Sequence, residues 1–216
     1  MMGWRHLIGV AMMSMMASGL AQETGAIKLP PPELEGSMPL MQALKARHST
    51  REFSSKPLPP QVLSNLLWAA NGVSRPESGK RTAPSARDWR EIDVIVATAE
   101  GAYRYDPPTH SLIRVVAGDI RHLTGSQAFV ASVPVNLVYV ANLDRMSEAS
   151  AEDKALYSAT DTGFIAQNVY LYGASAGLAV VVRGSVDREA LGAALGLAKH
   201  QRIILAQSVG YPAGAK

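Results

Sequence analysis

The sequence predicts one domain, or at most two small ones, in which helices cover an antiparallel or mixed β-sheet. Apolar, β-rich segments at 92–98, 111–116, 135–141, 178–182 and 203–209 supply the strands. The segment from Ala151 to Ala174 has helical periodicity and is apolar over more than one face, so it must be buried between the sheet and something else. With 216 residues, 47% hydrophobic and 18% charged, the chain has ordinary globular composition, which excludes long disorder; no period of repetition is present either.

Taken in order, the first segment is not part of that domain. Arg5 and His6 precede Leu7 to Ala21, a run without charge, and Gly19-Leu20-Ala21 sets small residues at the −3 and −1 positions of a cleavage site. This reads as a secretory signal peptide over 1–21. The run falls short of the roughly 20 residues that span a bilayer, although an uncleaved anchor or a buried helix stays open. Cleavage would leave no stable membrane span and a near-neutral protein with a periplasmic or secreted destination. No cysteine is available for a lipoprotein anchor.

Residues 22–38 read as an extended arm, because Pro30-Pro31-Pro32 fixes φ and blocks helix. A short helix follows, with Ser37 as cap, Pro39 in its first turn and Leu40, Met41 and Leu44 as its apolar side. Leu58-Pro59-Pro60 opens a second helix with Val62, Leu63, Leu66, Leu67 and Ala70 facing inward, stopped by Asn71-Gly72 as a left-handed cap. The polar stretch 73–91 reads as a long loop, and a loop of that length is usually functional. Ile92–Thr98 is a strand, Ala102–Tyr105 and Ser111–Val116 form a hairpin around Asp106-Pro107-Pro108-Thr109, and Val135–Ala141 is a central strand. In the helix 151–174, Ala155, Ala159, Gly163, Ala166, Tyr170 and Gly173 place mostly small residues along one side, where two backbones can approach closely. A strand at 178–182, a capped helix from Asp187 through Leu195 and a strand at 203–209 complete the domain.

Composition and motifs narrow the chemistry. A formal net charge of +3 without a Lys/Arg run gives no basic face for nucleic acid, so the partner is a small molecule. The absence of Cys excludes disulfides, thiolate metal sites and thiol nucleophiles. Gly173-Ala174-Ser175-Ala176-Gly177 satisfies G-x-S-x-G, but a helix precedes it and a strand follows. That order is the reverse of a nucleophile elbow and marks a glycine-terminated helix. His48, His110, His122 and His200 lack metal-ligand spacing. Neither a dinucleotide-binding fingerprint nor a P-loop occurs. What remains is Arg47-His48-Ser49-Thr50-Arg51 after the first helix, in which two guanidinium forks and a hydroxyl suit one phosphate or a polyhydroxy chain, or else form a solvated helix end.

A longer pattern contains that motif. Ala46-Arg47-His48-Ser49-Thr50-Arg51-Glu52-Phe53, the Leu-rich helix after Leu58-Pro59, and Arg81-Thr82-Ala83-Pro84-Ser85-Ala86 resemble the FMN-dependent nitroreductase family, most closely its SagB-type (thiazoline-oxidase-like) branch. Tyr103-Arg104-Tyr105-Asp106, Gln167-Asn168, Gly177-Leu178 and Val209-Gly210-Tyr211-Pro212 extend the likeness over nearly all of the 39–216 domain. The resemblance implies an α+β fold, a mainly antiparallel sheet wrapped by helices, forming an intertwined homodimer with FMN at its interface. It implies that Arg47, Ser49 and Arg51 hold the ribityl phosphate and the pyrimidine edge, with His48 contributing through backbone or ring. Pro84, Ser85 and Ala86 would cover the isoalloxazine ring from the partner subunit. Val182-Arg183-Gly184 would bring a backbone N–H, that of Gly184, to flavin N5, and Lys216 would add a cationic phosphate contact. Where the family commonly continues P-S-x-x-N-x-Q, this chain has Asp88 and Arg90, two charges that act on a flavin potential in opposite senses. The implied activity is ping-pong hydride transfer through FMN to or from a small organic substrate, with NAD(P)H as transient reductant. The alternative is an exported flavin- or small-ligand-binding protein without turnover.

Overall fold

In the computed structural model, which describes residues 25–214, the chain forms nine strands and four α-helices. In chain order they are β1 (Ile27–Lys28), α1 (Leu40–Ala46), α2 (Pro60–Asn71), β2 (Val73–Arg75), β3 (Lys80–Arg81), β4 (Ile92–Thr98), β5 (Gly101–Asp106), β6 (Ser111–Ala117), β7 (Val135–Asn142), α3 (Ala151–Ser175), β8 (Ala179–Arg183), α4 (Arg188–Ala194) and β9 (Gln201–Gly210). Residues 1–21, read above as a signal peptide, and Lys216 lie outside the described residues.

Seven strands make one sheet in the order β1-β6-β5-β4-β7-β9-β8, antiparallel throughout. This is the α+β architecture that the family resemblance implies. The continuous apolar run of β7 follows from burial on both faces. Val135, Leu137, Tyr139 and Ala141 join the core beneath α2 and α3, while Val138 and Val140 join a second core with Leu191 and Leu195 of the α4 region. Between α3 and β8 the backbones do approach closely at Gly173, where a Cβ would stand 2.4 Å from Val180 Cγ2.

The segment after residue 25 packs on the domain: β1 pairs with β6, Leu29 is buried, and the Pro30 carbonyl accepts from Ser64 Oγ at 2.5 Å. Three local expectations change. Ser37 does not cap α1; Pro39 occupies that position with no side-chain hydrogen bond, since α1 begins at Leu40. Gly72 is extended (φ −72°, ψ 163°) rather than left-handed, and a side chain there would meet Trp68 Cδ1 at 2.5 Å, so close approach selects the glycine. Finally, the stretch 73–91 is not structureless: β2 and β3 form a hairpin, and Ala86–Asp88 form a 3-10 turn. These strands are too short, polar and exposed to leave a period-2 signal.

Candidate functional site

Six residues from α3, β8 and the segment after α1 meet where α1 ends. Arg47 leaves the helix with extended geometry, and Thr50 N–H then donates to the Val180 carbonyl at 2.9 Å, pinning the segment along β8. Ser49 Oγ lies 2.8 Å from Tyr170 Oη, and the same phenol oxygen accepts from Val182 N–H at 2.9 Å. The Arg47 guanidinium sits 5.3 Å from the Tyr170 ring centroid, within cation–π range. Tyr170 is therefore the hub joining α3, β8 and the Arg47–Arg51 segment. The sequence reading missed that role, because a tyrosine on an apolar helix carries no signal of it. His48 turns its Nδ1 to the Ala46 carbonyl at 2.8 Å.

Beside this hub lies a cleft of about 240 Å³ whose lining includes Ala46, His48, Tyr170, Val180 and Pro212. Neither Arg47 nor Arg51 has an acidic partner among the described residues. The Arg47 guanidinium, without an acidic partner and set on the Tyr170 ring whose hydroxyl meets Ser49, is the donor chemistry a phosphate needs; Arg51 follows on the same segment and is exposed.

At the end of β8 the strand alternation separates Val182 from Arg183. Val182 packs toward the α3 core. Arg183 points to the opposite face, 5% exposed, where its guanidinium donates to Thr124 O (2.7 Å), Asn136 Oδ1 (3.0 Å) and Ser208 Oγ (3.2 Å). All of these acceptors are neutral, and burial pushes the Arg183 pKa down to about 10. The sequence reading brought Arg183 to the cofactor site as part of the segment; its side chain is engaged elsewhere, and its backbone lies in the β8–β9 ladder opposite Ala206. Gly184 is exposed, and a Cβ built on it would meet only Leu205 Cδ2, at 3.8 Å.

The third region is the loop after β3. Pro84 is exposed, whereas Ser85 and Ala86 are held from below. Ala86 N–H donates to Asp161 Oδ2 of α3 at 2.9 Å; Ser85 Oγ donates to Glu91 Oε2 at 3.3 Å and accepts from Arg90 N–H at 2.8 Å. Arg87, Asp88 and Arg90 all have φ near +50° (48°, 58° and 52°), a left-handed geometry that costs non-glycine residues roughly 1–2 kcal/mol each. Arg87 stacks over Trp89, and Trp89 meets Tyr157 edge-on. Asp88 and Arg90 bind each other bidentately at 2.7 and 2.5 Å, so the two charges that replace the family's Asn and Gln largely cancel. Beneath them Glu91 is fully buried, and burial first, then the Asp161 charge, raises its pKa.

The remaining motifs have structural roles. Ser175 Oγ accepts from Met38 N–H at 2.9 Å at the end of α3, and Gly177 takes φ +66°, so G-x-S-x-G is a glycine-terminated helix. His110 links Tyr105 Oη (2.8 Å) to Ser64 Oγ (2.7 Å), and His200 faces Asp144 at 3.2 Å. The apolar side of α1 is turned outward: Leu40 and Met41 are 62% and 76% exposed, as are Leu156 and Phe164 of α3 to 57% and 44%. No helix among the described residues is long and apolar enough to cross a membrane.

Comparison with known proteins gives a consistent picture. The nitroreductase family matches residues 44–211. A Methanocaldococcus jannaschii protein carried under the nitroreductase name, MJ1384, is 34% identical over 164 residues, covering 71% of this chain and 82% of its own. A crystallised nitroreductase from Ralstonia eutropha is 47% identical with a TM-score of 0.84, covering 88% of this chain and 90% of its own. The NADPH:FMN oxidoreductase of Vibrio harveyi, solved with NAD+, shares the fold at 20% identity and a TM-score of 0.62, covering 81% of this chain and 69% of its own.

Proposed function

The chain belongs to the nitroreductase family of oxidoreductases, and from that membership we propose that it binds FMN at the Arg47–Ser49–Tyr170 corner and exchanges hydride with a small organic substrate. The observation that carries the proposal is the Arg47 guanidinium, without an acidic partner, stacked on the tyrosine whose hydroxyl fixes Ser49. The residues present fit the group. Arg47 and Arg51 suit the phosphate, Ser49 is oriented by Tyr170, and the unobstructed backbone at Gly184 admits a planar ring.

Bound there, FMN supplies the hydride chemistry at N5, so the protein need not provide an acid–base pair. The chain's own task is placement. Tyr170 fixes Val182 N–H and Ser49 in one plane of contacts, which holds the end of β8 against the phosphate-binding segment. The Pro84–Ala86 loop, tied down by Asp161 and Glu91, covers the ring face of a second subunit. A homodimer is part of the proposal, supported by the outward Leu40, Met41, Leu156 and Phe164, which a second copy would bury. NAD(P)H is proposed as the transient reductant. Within the family we place the chain in the SagB-type branch on the strength of Arg81-Thr82-Ala83-Pro84-Ser85-Ala86. We place it outside the cytoplasm on the strength of the uncharged Leu7–Ala21 run; a mature N-terminus at Gln22 is the expected product.

Purified protein should be yellow and release FMN on denaturation, and its absorbance should bleach with NADH or NADPH and return when an organic acceptor is added. A colourless protein that FMN cannot reconstitute would remove the proposal.

A further inference from the structure

Two fully buried carboxyl groups lie under the flavin-covering loop, and nothing so far gives them a chemical task. Glu91 opens the way into β4 and is 0% exposed; Asp161 lies in the middle of α3 and is 2% exposed. Each holds a different part of the same loop, Asp161 through Ala86 N–H and Glu91 through Ser85 Oγ. That loop contains three left-handed residues without a glycine, a conformation that persists only when its surroundings over-determine it. We propose that Glu91 and Asp161 act together as positioning residues, a latch that keeps the Pro84–Arg90 loop in its strained covering form while Glu91 carries its proton and releases it when that proton is lost.

The physical case rests on which charges face the pair. Asn71 of α2, Arg81 of β3, Ser85, Asp88 and Arg90 of the loop and Ile165 of α3 line the same small cavity as the two carboxyls. Asp88 and Arg90 neutralise each other. Arg81 faces the same cavity, its Nε buried without a hydrogen-bond partner, but it makes no ion pair among the described residues. No cation is ion-paired with either carboxyl among the described residues. With its proton present, Glu91 is a neutral acid in the same small cavity as the Asp161 carboxyl. Without it, two like charges adjoin in a site sealed from water, and separating them requires the elements that carry them, or the loop between them, to move. Burial and the Asp161 charge raise the Glu91 pKa to about 7, which puts the transition in an accessible range. Glu91 Oε1 has no hydrogen-bond partner, an arrangement an ionised oxygen tolerates worse than a neutral one.

The inference rests on the flavin reading for its purpose but not for its test. Hydrogen–deuterium exchange of the peptide containing Ser85 to Trp89 can be followed at pH 6 and pH 9 in full-length wild type, Glu91→Gln and Asp161→Asn, with each variant compared to wild type at the same pH so that the intrinsic pH dependence of exchange cancels. Both variants keep a hydrogen-bond acceptor for the loop and cannot place two negative charges together. Relative to either variant, wild-type exchange should match within about twofold at pH 6 and be at least about tenfold faster at pH 9. A ratio that stays the same at both pH values overturns the latch, and if Glu91→Gln does not fold, Asp161→Asn decides alone. Absorbance of FMN retained by the same samples tests the link to the ring: retention should fall at pH 9 in wild type only, and equal retention in all three would sever that link while the exchange ratios still decide the latch.

Discussion

Replacing Glu91 by Gln should make the protein more stable in alkali while leaving it no better in acid. The carboxyl is completely buried, and its pKa rises from the ordinary 4.5 to about 7, mainly through burial and then through the charge of Asp161. A group whose pKa is higher folded than unfolded binds its proton more tightly in the folded state. Its stabilising contribution is fully present below about pH 4.5 and is lost as pH rises through about 7. The difference of about 2.5 in pKa, at about 1.4 kcal/mol for each unit, amounts to about 3 kcal/mol over the whole range. Between pH 5 and pH 9 some 2–3 kcal/mol of that should be realised. Gln cannot titrate, and the titrations of all other groups cancel when the two proteins are compared at the same pH. Urea unfolding of wild type and Glu91→Gln at pH 5, 7 and 9 therefore gives three stability differences, which should move in favour of the variant by about 2–3 kcal/mol across the series. Differences that agree within about 0.5 kcal/mol would refute the buried-acid reasoning.

Gly125 is extended (φ 173°), a conformation open to any residue, yet a Cβ there would stand 1.8 Å from the Arg183 guanidinium. Gly125→Ala should cost about 3 kcal/mol, because the displaced, buried guanidinium loses Thr124 O, Asn136 Oδ1 and Ser208 Oγ as acceptors and leaves Thr124 O unpaired. The same substitution in an Arg183→Ala background should cost under about 1 kcal/mol, and additivity in thermal unfolding would contradict the assignment. Phe164→Asp places a charge on the outward face of α3 and should leave the single-chain fold intact while converting a dimer to monomer in light scattering; an unchanged dimer would show that this face is not the interface.

How much could be read from the sequence differs by element for physical reasons. β4 and β7 were legible because both of their faces are largely buried, and a nearly continuous apolar run leaves little freedom in where a strand begins. β1 was not, since Ile27 and Lys28 are exposed and owe their strand geometry entirely to pairing with Leu112 and Ser111. The β2–β3 hairpin is charged and short, so nothing distinguishes it from loop until the chain closes on itself. At the site, Arg47, Ser49 and Arg51 were visible as a local motif, whereas Tyr170 is 121 residues from Ser49 and joins it only through the packing of α3. Nothing in the sequence singles out Glu91 or Asp161; only the fold reveals that both are buried under one loop. Asp88 and Arg90 show the converse. Each is conspicuous in the sequence as a departure from the family pattern, and their mutual ion pair removes most of the consequence.

The most direct measurement is a pair of binding isotherms, FMN and riboflavin titrated into deflavinated wild type and Arg47→Ala. If the guanidinium beside Ser49 grips the phosphate, wild type should bind FMN much more tightly than riboflavin. Arg47→Ala should weaken FMN by roughly 1.5–3 kcal/mol, the worth of a hydrogen bond to a charged group, while leaving riboflavin nearly unchanged. Equal affinity for the two flavins in wild type, or equal losses for both on substitution, would place the phosphate somewhere else.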